Sequence, residues 1–175
     1  TTTLIAEILK HAGRRVWLGG NIGTPLLPVA EKMEPDDIAV VELSSFQLMG
    51  MTRSADVAVV TNLAPNHLDV HRDMDEYVES KANIFCHQQP GDIAVFNLDN
   101  NITRGLGGEC ASQVRWFSRR EEPAEGVFLR GESIICRRSG QEREVLRTTD
   151  IKIPGVHNVE NYMAAIAAVD GLVPD

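Results

Sequence analysis

Cysteine is nearly missing: Cys86, Cys110 and Cys136 are the three in 175 residues, and none stands in CxxC spacing. An odd, scattered set excludes a disulfide framework and a thiolate zinc site, and it fits a reducing compartment such as the cytoplasm. Positive charge is short as well. There are 17 Lys and Arg against 25 Asp and Glu, a formal net charge of -8 and a pI near 5.1. A grip on nucleic acid or on an anionic membrane needs a lysine and arginine excess, so neither is an expected partner. A small anionic substrate needs only a few well-placed cations. No apolar run approaches the roughly 18 to 20 residues of a membrane span, and no export signal is visible. Internal repeats and low-complexity stretches are missing too.

What remains is the composition of an ordinary globular domain, 43% hydrophobic and 24% charged, long enough for one sizeable core and expected as a monomer. Leu4, Ile5, Ile8 and Leu9 recur at helical spacing before Gly13, where a helix closes. Arg15 to Gly20, Ile38 to Leu43, Val57 to Asn62 and Ile93 to Asn97 read as strands; the middle two are continuous apolar runs expected to be covered on both faces. Helices are predicted between them, about Thr24 to Met33, Ser45 to Met49, and Met74 to Phe85 with Asp73 as its N-cap. This alternation predicts an α/β fold, a mostly parallel sheet flanked by helices, with ligands at the carboxyl ends of the strands. From about Gln113 to Ile153, short alternating runs broken by Gly131-Glu132 and Ser139-Gly140 predict a small antiparallel subsheet. An alanine-rich helix, about Asn158 to Val169, follows.

Several polar groups fall at strand ends. Gly19-Gly-Asn21-Ile-Gly23 leads into a helix whose free amides suit an anion, and it serves equally as a plain turn. Glu42 ends an apolar strand ahead of Ser44, Ser45 and Gln47; a carboxylate buried there needs a cation or a metal, while either serine suffices as a cap for the next helix. Asn62-Leu-Ala-Pro-Asn-His67-Leu-Asp69-Val-His71 gathers two histidines and an aspartate. These could serve a metal-dependent phosphohydrolase, or a single histidine could face the site. Lys81 borders the stripe of Val78, Ala82 and Phe85, a place where lysines commonly reach for solvent. Asn158 and Asn161 begin the last helix as caps, or as amides able to match the edge of an adenine.

In this order, GGNIGTPLL, VELSSFQL, TNLAPNHLDVH, EYVESKANIF and GVHNVENYMAA resemble the central, ATP-binding domain of the Mur ligases along nearly the whole chain. The resemblance implies a P-loop NTPase-like fold and a cytoplasmic ligase of peptidoglycan precursor synthesis. Such an enzyme uses ATP and Mg2+ to activate a carboxylate as an acyl phosphate that an amine then attacks. GGNIG together with SSFQL, where SSH would mark the relative that adds the third residue, implies UDP-N-acetylmuramoyl-L-alanine and D-glutamate as substrates. Carried over by position, Glu42 and His67 would bind magnesium, and Lys81 would be a metal ligand as a CO2-derived carbamate. Asn158 and Asn161 would hold adenine. Asn21, Ser44 and Gln47 would touch the muramoyl-peptide substrate, and Asp69 and His71 would shape the loop.

The family's G-x-N-G-K-[ST] phosphate loop and the strand before it have no counterpart ahead of Thr1-Thr-Thr3. The flanking domains that bind the uridine nucleotide and D-glutamate have none either. Ligation is therefore not expected of residues 1–175 alone. Competing readings are a related ligase of the folylpolyglutamate synthase type, the phosphohydrolase above, and a nucleotide-binding module without catalysis.

Overall fold

A computed structural model describes residues 1–64, 72–108, 110–153 and 155–174. Two sheets carry the fold. In the first, β1 (Val16–Gly20) lies parallel to β2 (Ile38–Glu42), Gly20 opposite Glu42. The second has six strands in chain order: β3 (Val57–Val60), β4 (Ile93–Asn97), β5 (Gln113–Ser118), β6 (Gly126–Arg130), β7 (Ser133–Arg138) and β8 (Gln141–Arg147). Its pairings are parallel from β3 to β6 and antiparallel from β6 to β8. The expected antiparallel subsheet thus begins later than the sequence implies, at the β6–β7 hairpin. Close approach of β6 to β5 is possible because Gly126, at φ +132°, has no Cβ; one there would lie 1.9 Å from the Trp116 carbonyl oxygen.

Alternation within β4 decides the layers. Val95 faces α5 (Val156–Val169), whose residues Met163 to Val169 are all buried, in a core shared with Phe117, Val127 and Ile134. Ala94 and Phe96 face the opposite way, toward Tyr77 and Phe85 of the α3 (Met74–Ala82) region and the partly buried Ile102 and Leu106 of α4 (Asn101–Gly107). Phe85 meets Phe96 edge to face at 5.0 Å. On the α5 side, α1 (Thr2–His11) sets Ala6 and Leu9 against Val40 and Val169, which joins the small sheet to the large one.

Two expectations need correction. In place of the helix predicted over Thr24 to Met33 stands a 3-10 turn, Leu27–Lys32, because Pro25 and Pro28 interrupt the backbone donors an α-helix requires. Strand β2 is not covered on both faces, since Ala39 and Val41 are exposed while Val40 is buried.

Candidate functional site

Glu42 is the last residue of β2, and its neighbours are fixed by backbone. The Asn21 N–H donates to the Glu42 carbonyl oxygen at 2.7 Å, which brings the Gly19–Gly23 turn beside the strand end. That approach depends on Gly20: its φ is +103°, and a Cβ would fall 2.2 Å from the Glu42 oxygen. The Asn21 side chain is exposed.

Beyond Glu42 the chain turns into the short helix α2 (Ser45–Met49). Ser44 caps it: its Oγ accepts from the Gln47 N–H at 3.3 Å, while the Ser44 N–H donates to Gln47 Oε1 at 2.8 Å. This reciprocal box gives Ser44 and Gln47 a structural task, as the local reading of SSFQ allows.

Helix α3 brings Lys81 to the same place. Asp73 caps the helix through its carboxylate and the Glu76 N–H, as expected, and Tyr77 packs into the core. Lys81 is half-buried one turn later. Its Nζ lies 5.9 Å over the Tyr77 ring and 3.5 Å from the Leu43 carbonyl oxygen. Burial lowers the Lys81 pKa from its ordinary value, and the Glu42 carboxylate opposes that shift. A lowered pKa raises the share of neutral amine at a given pH, and only the neutral amine has the lone pair that adds to an electrophile such as CO2.

From the other side, the start of α1 reaches in. Thr2 Oγ1 donates to Glu42 Oε2 at 3.4 Å, and Thr1 Oγ donates to Asn161 Oδ1. Two neighbouring threonines at the start of α1 thus reach Glu42 on β2 and Asn161 on α5. The sequence alone does not say which of Thr1 to Thr3 faces the site, since three identical residues in a row carry no register. Helix α5 begins at Val156, two residues before Asn158, so Asn158 and Asn161 lie inside it and neither is its cap. Arg119, just beyond β5, donates from Nε to Glu160 Oε1 at 2.7 Å and ties this helix face to the sheet.

A second group at the strand ends was not read from the sequence. Asn97 Nδ2 donates to Asn62 Oδ1, the Asp99 N–H donates to Asn97 Oδ1, and Ser118 Oγ donates to Asp99 Oδ1 at 2.6 Å. The signal was the Asn97-Leu-Asp99 that ends β4. His67, Asp69 and His71 lie outside the described residues.

The donors that converge are oxygen-based, one carboxylate and one hydroxyl beside a lysine. Among the described residues no cluster of three or more His, Cys, Asp or Glu is arranged to hold a metal. Magnesium suits such a sparse set, because it keeps several waters and takes one or two carboxylates together with substrate phosphates. No helix among the described residues is long and apolar enough to cross a membrane.

Relatives and solved structures share this framework. "UDP-N-acetylmuramoylalanine--D-glutamate ligase" of Acetivibrio thermocellus is 52% identical over 169 residues, covering 97% of this chain and 36% of the relative. The protein of that name from Clostridium novyi is 49% identical with the same coverage. The chain thus spans little more than a third of the length of these relatives. Among solved structures, UDP-N-acetylmuramate:L-alanyl-gamma-D-glutamyl-meso-diaminopimelate ligase from Neisseria meningitides superposes with a TM-score of 0.66 at 17% identity, over 99% of this chain and 58% of that one. MurF ligase from Thermotoga maritima in complex with ADP gives 0.64 at 21%, over 98% and 43%. The description "Mur ligase middle domain" matches residues 1–169, so nearly the whole chain is accounted for, and it belongs to the Mur ligase middle-domain family.

Proposed function

We propose that the chain is the ATP-binding middle part of a D-glutamate-adding Mur ligase, its phosphate loop and its two flanking domains lying outside residues 1–175. The observation that carries this reading is the convergence of Glu42, Lys81 and the start of α1 at one strand end, within a chain 52% identical to a relative of that name. ATP would phosphorylate the carboxylate of UDP-N-acetylmuramoyl-L-alanine. The amine of D-glutamate then attacks the acyl carbon; the C–N bond forms, the C–O bond to phosphate breaks, and phosphate leaves.

Charge is the obstacle, since a polyphosphate and a carboxylate must meet. Magnesium, when bound, would screen that repulsion and stabilise charge on the transferring phosphoryl group. Glu42 and Thr2 would hold the ion that serves the ATP phosphates, from β2 and α1, and His67 would hold a second one near the acyl phosphate. Lys81, its amine neutral, would add to CO2 and lose a proton, so that a cation becomes an anionic oxygen ligand suited to magnesium. Asn158 and Asn161 would orient adenine on the first turns of α5. Asn21 would touch the muramoyl peptide, and Ser44 and Gln47 would keep the neighbouring turn in shape for it.

The test is phosphate release by the full-length enzyme with ATP, magnesium, UDP-N-acetylmuramoyl-L-alanine and D-glutamate. Lys81→Ala should reduce kcat by about a hundredfold or more, the scale for a lost metal ligand or transition-state charge partner. Asp69→Asn should be tolerated. Activity that survives Lys81→Ala but not Asp69→Asn would point to the phosphohydrolase instead.

A further inference from the structure

Helix α2 spans Ser45–Met49, little more than one turn, too short to hold itself in water. Its capping residue, Ser44, nevertheless stands only two residues beyond Glu42, so the placing of α2 bears on the end of β2. Its buried Leu48 and the Ser44–Gln47 cap supply part of what fixes it; the end of α3 supplies another part, through two donors two residues apart. Lys81 Nζ reaches the Leu43 carbonyl before the helix at 3.5 Å, and Asn83 Nδ2 reaches the Leu48 carbonyl near its end at 2.9 Å.

The two contacts differ in kind. At 3.5 Å the first is at the limit of a hydrogen bond, while the second has ordinary strength and length. The first also depends on the state of Lys81: an ammonium offers three N–H donors, a carbamate nitrogen one, with negative charge beside it. The second is an amide donating to a carbonyl and is indifferent to that charge. Asn83 is itself held in place. Its carbonyl oxygen accepts from Ser54 Oγ at 3.0 Å, and that hydroxyl accepts from the His87 N–H at 2.9 Å.

We propose that Asn83 is a positioning residue, a charge-independent tether that keeps α2, and with it Glu42, in register with α3 while Lys81 changes from cation to anion. The tether rests on the ligase reading for its purpose, and its geometry is independent of the reaction.

The experiment uses the full-length enzyme with Asn83→Asp, which keeps shape and the acceptor but loses the donor, and Asn83→Ala, which adds no charge. Metal binding is measured without substrates by the electron paramagnetic resonance of Mn2+, and backbone hydrogen exchange is followed across Ser45–Met49 and across β4. Both variants should bind Mn2+ about tenfold more weakly, the scale for outer residues that orient metal ligands. Exchange should accelerate in α2 and stay unchanged in β4. The KM for D-glutamate should remain within about twofold, since no ground-state contact to it is touched. Unchanged Mn2+ binding and α2 exchange in both variants would overturn the proposal, as would acceleration spread equally over β4, which marks general unfolding. If the unsubstituted enzyme released no phosphate in response to D-glutamate, the ligase reading would fall while the tether was still decided by exchange.

Discussion

At the scale of single residues, Lys81 shows how two neighbours compete over one proton. Burial disfavours its ammonium and Glu42 favours it, with burial prevailing. Glu42→Gln removes the opposing influence, so the Lys81 pKa should fall further, a shift to be followed by NMR of the lysine side chain in CO2-free buffer. Linkage gives the stability a definite sign. The unfolded chain binds the proton more tightly than the folded one, so stability rises with pH between the lowered folded value and the ordinary value of 10.5, and it is level below that window. The raised thiol of Cys136 pulls the other way over the same pH values, so the comparison is a difference: the urea midpoint of the wild type minus that of Lys81→Met should grow with pH across that range. Gly20 is the backbone counterpart. Gly20→Ala forces a positive φ on a side chain and drives its Cβ into the Glu42 carbonyl, at a cost above about 1 kcal/mol. Chemical denaturation should record that loss, with reduced ligation in the full-length enzyme.

Among elements, the other end of α5 carries the clearest energetic commitment. Asp170 closes the helix and is nearly buried, facing Arg138 and Arg143 at 3.3 Å and Arg115 at 4.0 Å. Asp170→Asn would leave cations around a neutral amide. A fully buried pair broken in this way costs about 3–5 kcal/mol, and about 2 kcal/mol is expected here because Arg138 and Arg143 reach water. Asp170 stands twelve residues from Asn158, about 18 Å along the helix axis, so the KM for ATP should not move while the denaturation midpoint falls.

The same scale shows what was legible beforehand. Helices α1, α3 and α5 and strands β1 to β4 follow from apolar periodicity and from caps such as Asp73, signals that reside in neighbouring residues. Helix α4 was not legible: Asn-Ile-Thr-Arg-Gly-Leu-Gly has two glycines and little periodicity, and it folds because Asn100 Oδ1 accepts from the Ile102 and Thr103 N–H groups and Thr103 Oγ1 donates to the Asn97 carbonyl. Missing α4 hid the crossover that makes β5 parallel to β4. Glu42 stood out as a carboxylate ending an apolar strand. Lys81 did not, because its helix face alone places it with solvent-seeking lysines, and family resemblance was needed to single it out. Asn83 and the two threonines acquire meaning only from partners about 35 to 160 residues away in the chain.

For the whole molecule, charge decides what residues 1–175 can do by themselves. The chain carries a net charge of -8, and its described groups around Glu42 supply Lys81 as a cation, while Arg119 is engaged by Glu160. A triphosphate with a carboxylate beside it needs far more compensation than one lysine, and most of all if that lysine becomes an anion. Ala39 and Val41 on β2, with Met49 on α2, are also exposed apolar residues near the site, where water would compete for polar contacts. The isolated chain should therefore bind Mg-ATP no more tightly than about 1 mM, where the binding free energy is only about -4 kcal/mol, and should release no phosphate above background when both substrates are added. Calorimetry and a phosphate-release assay measure the two. Robust turnover by residues 1–175 would mean that they compensate the substrate charge by themselves, and the proposal that ligation needs a phosphate loop and domains outside these residues would have to be abandoned.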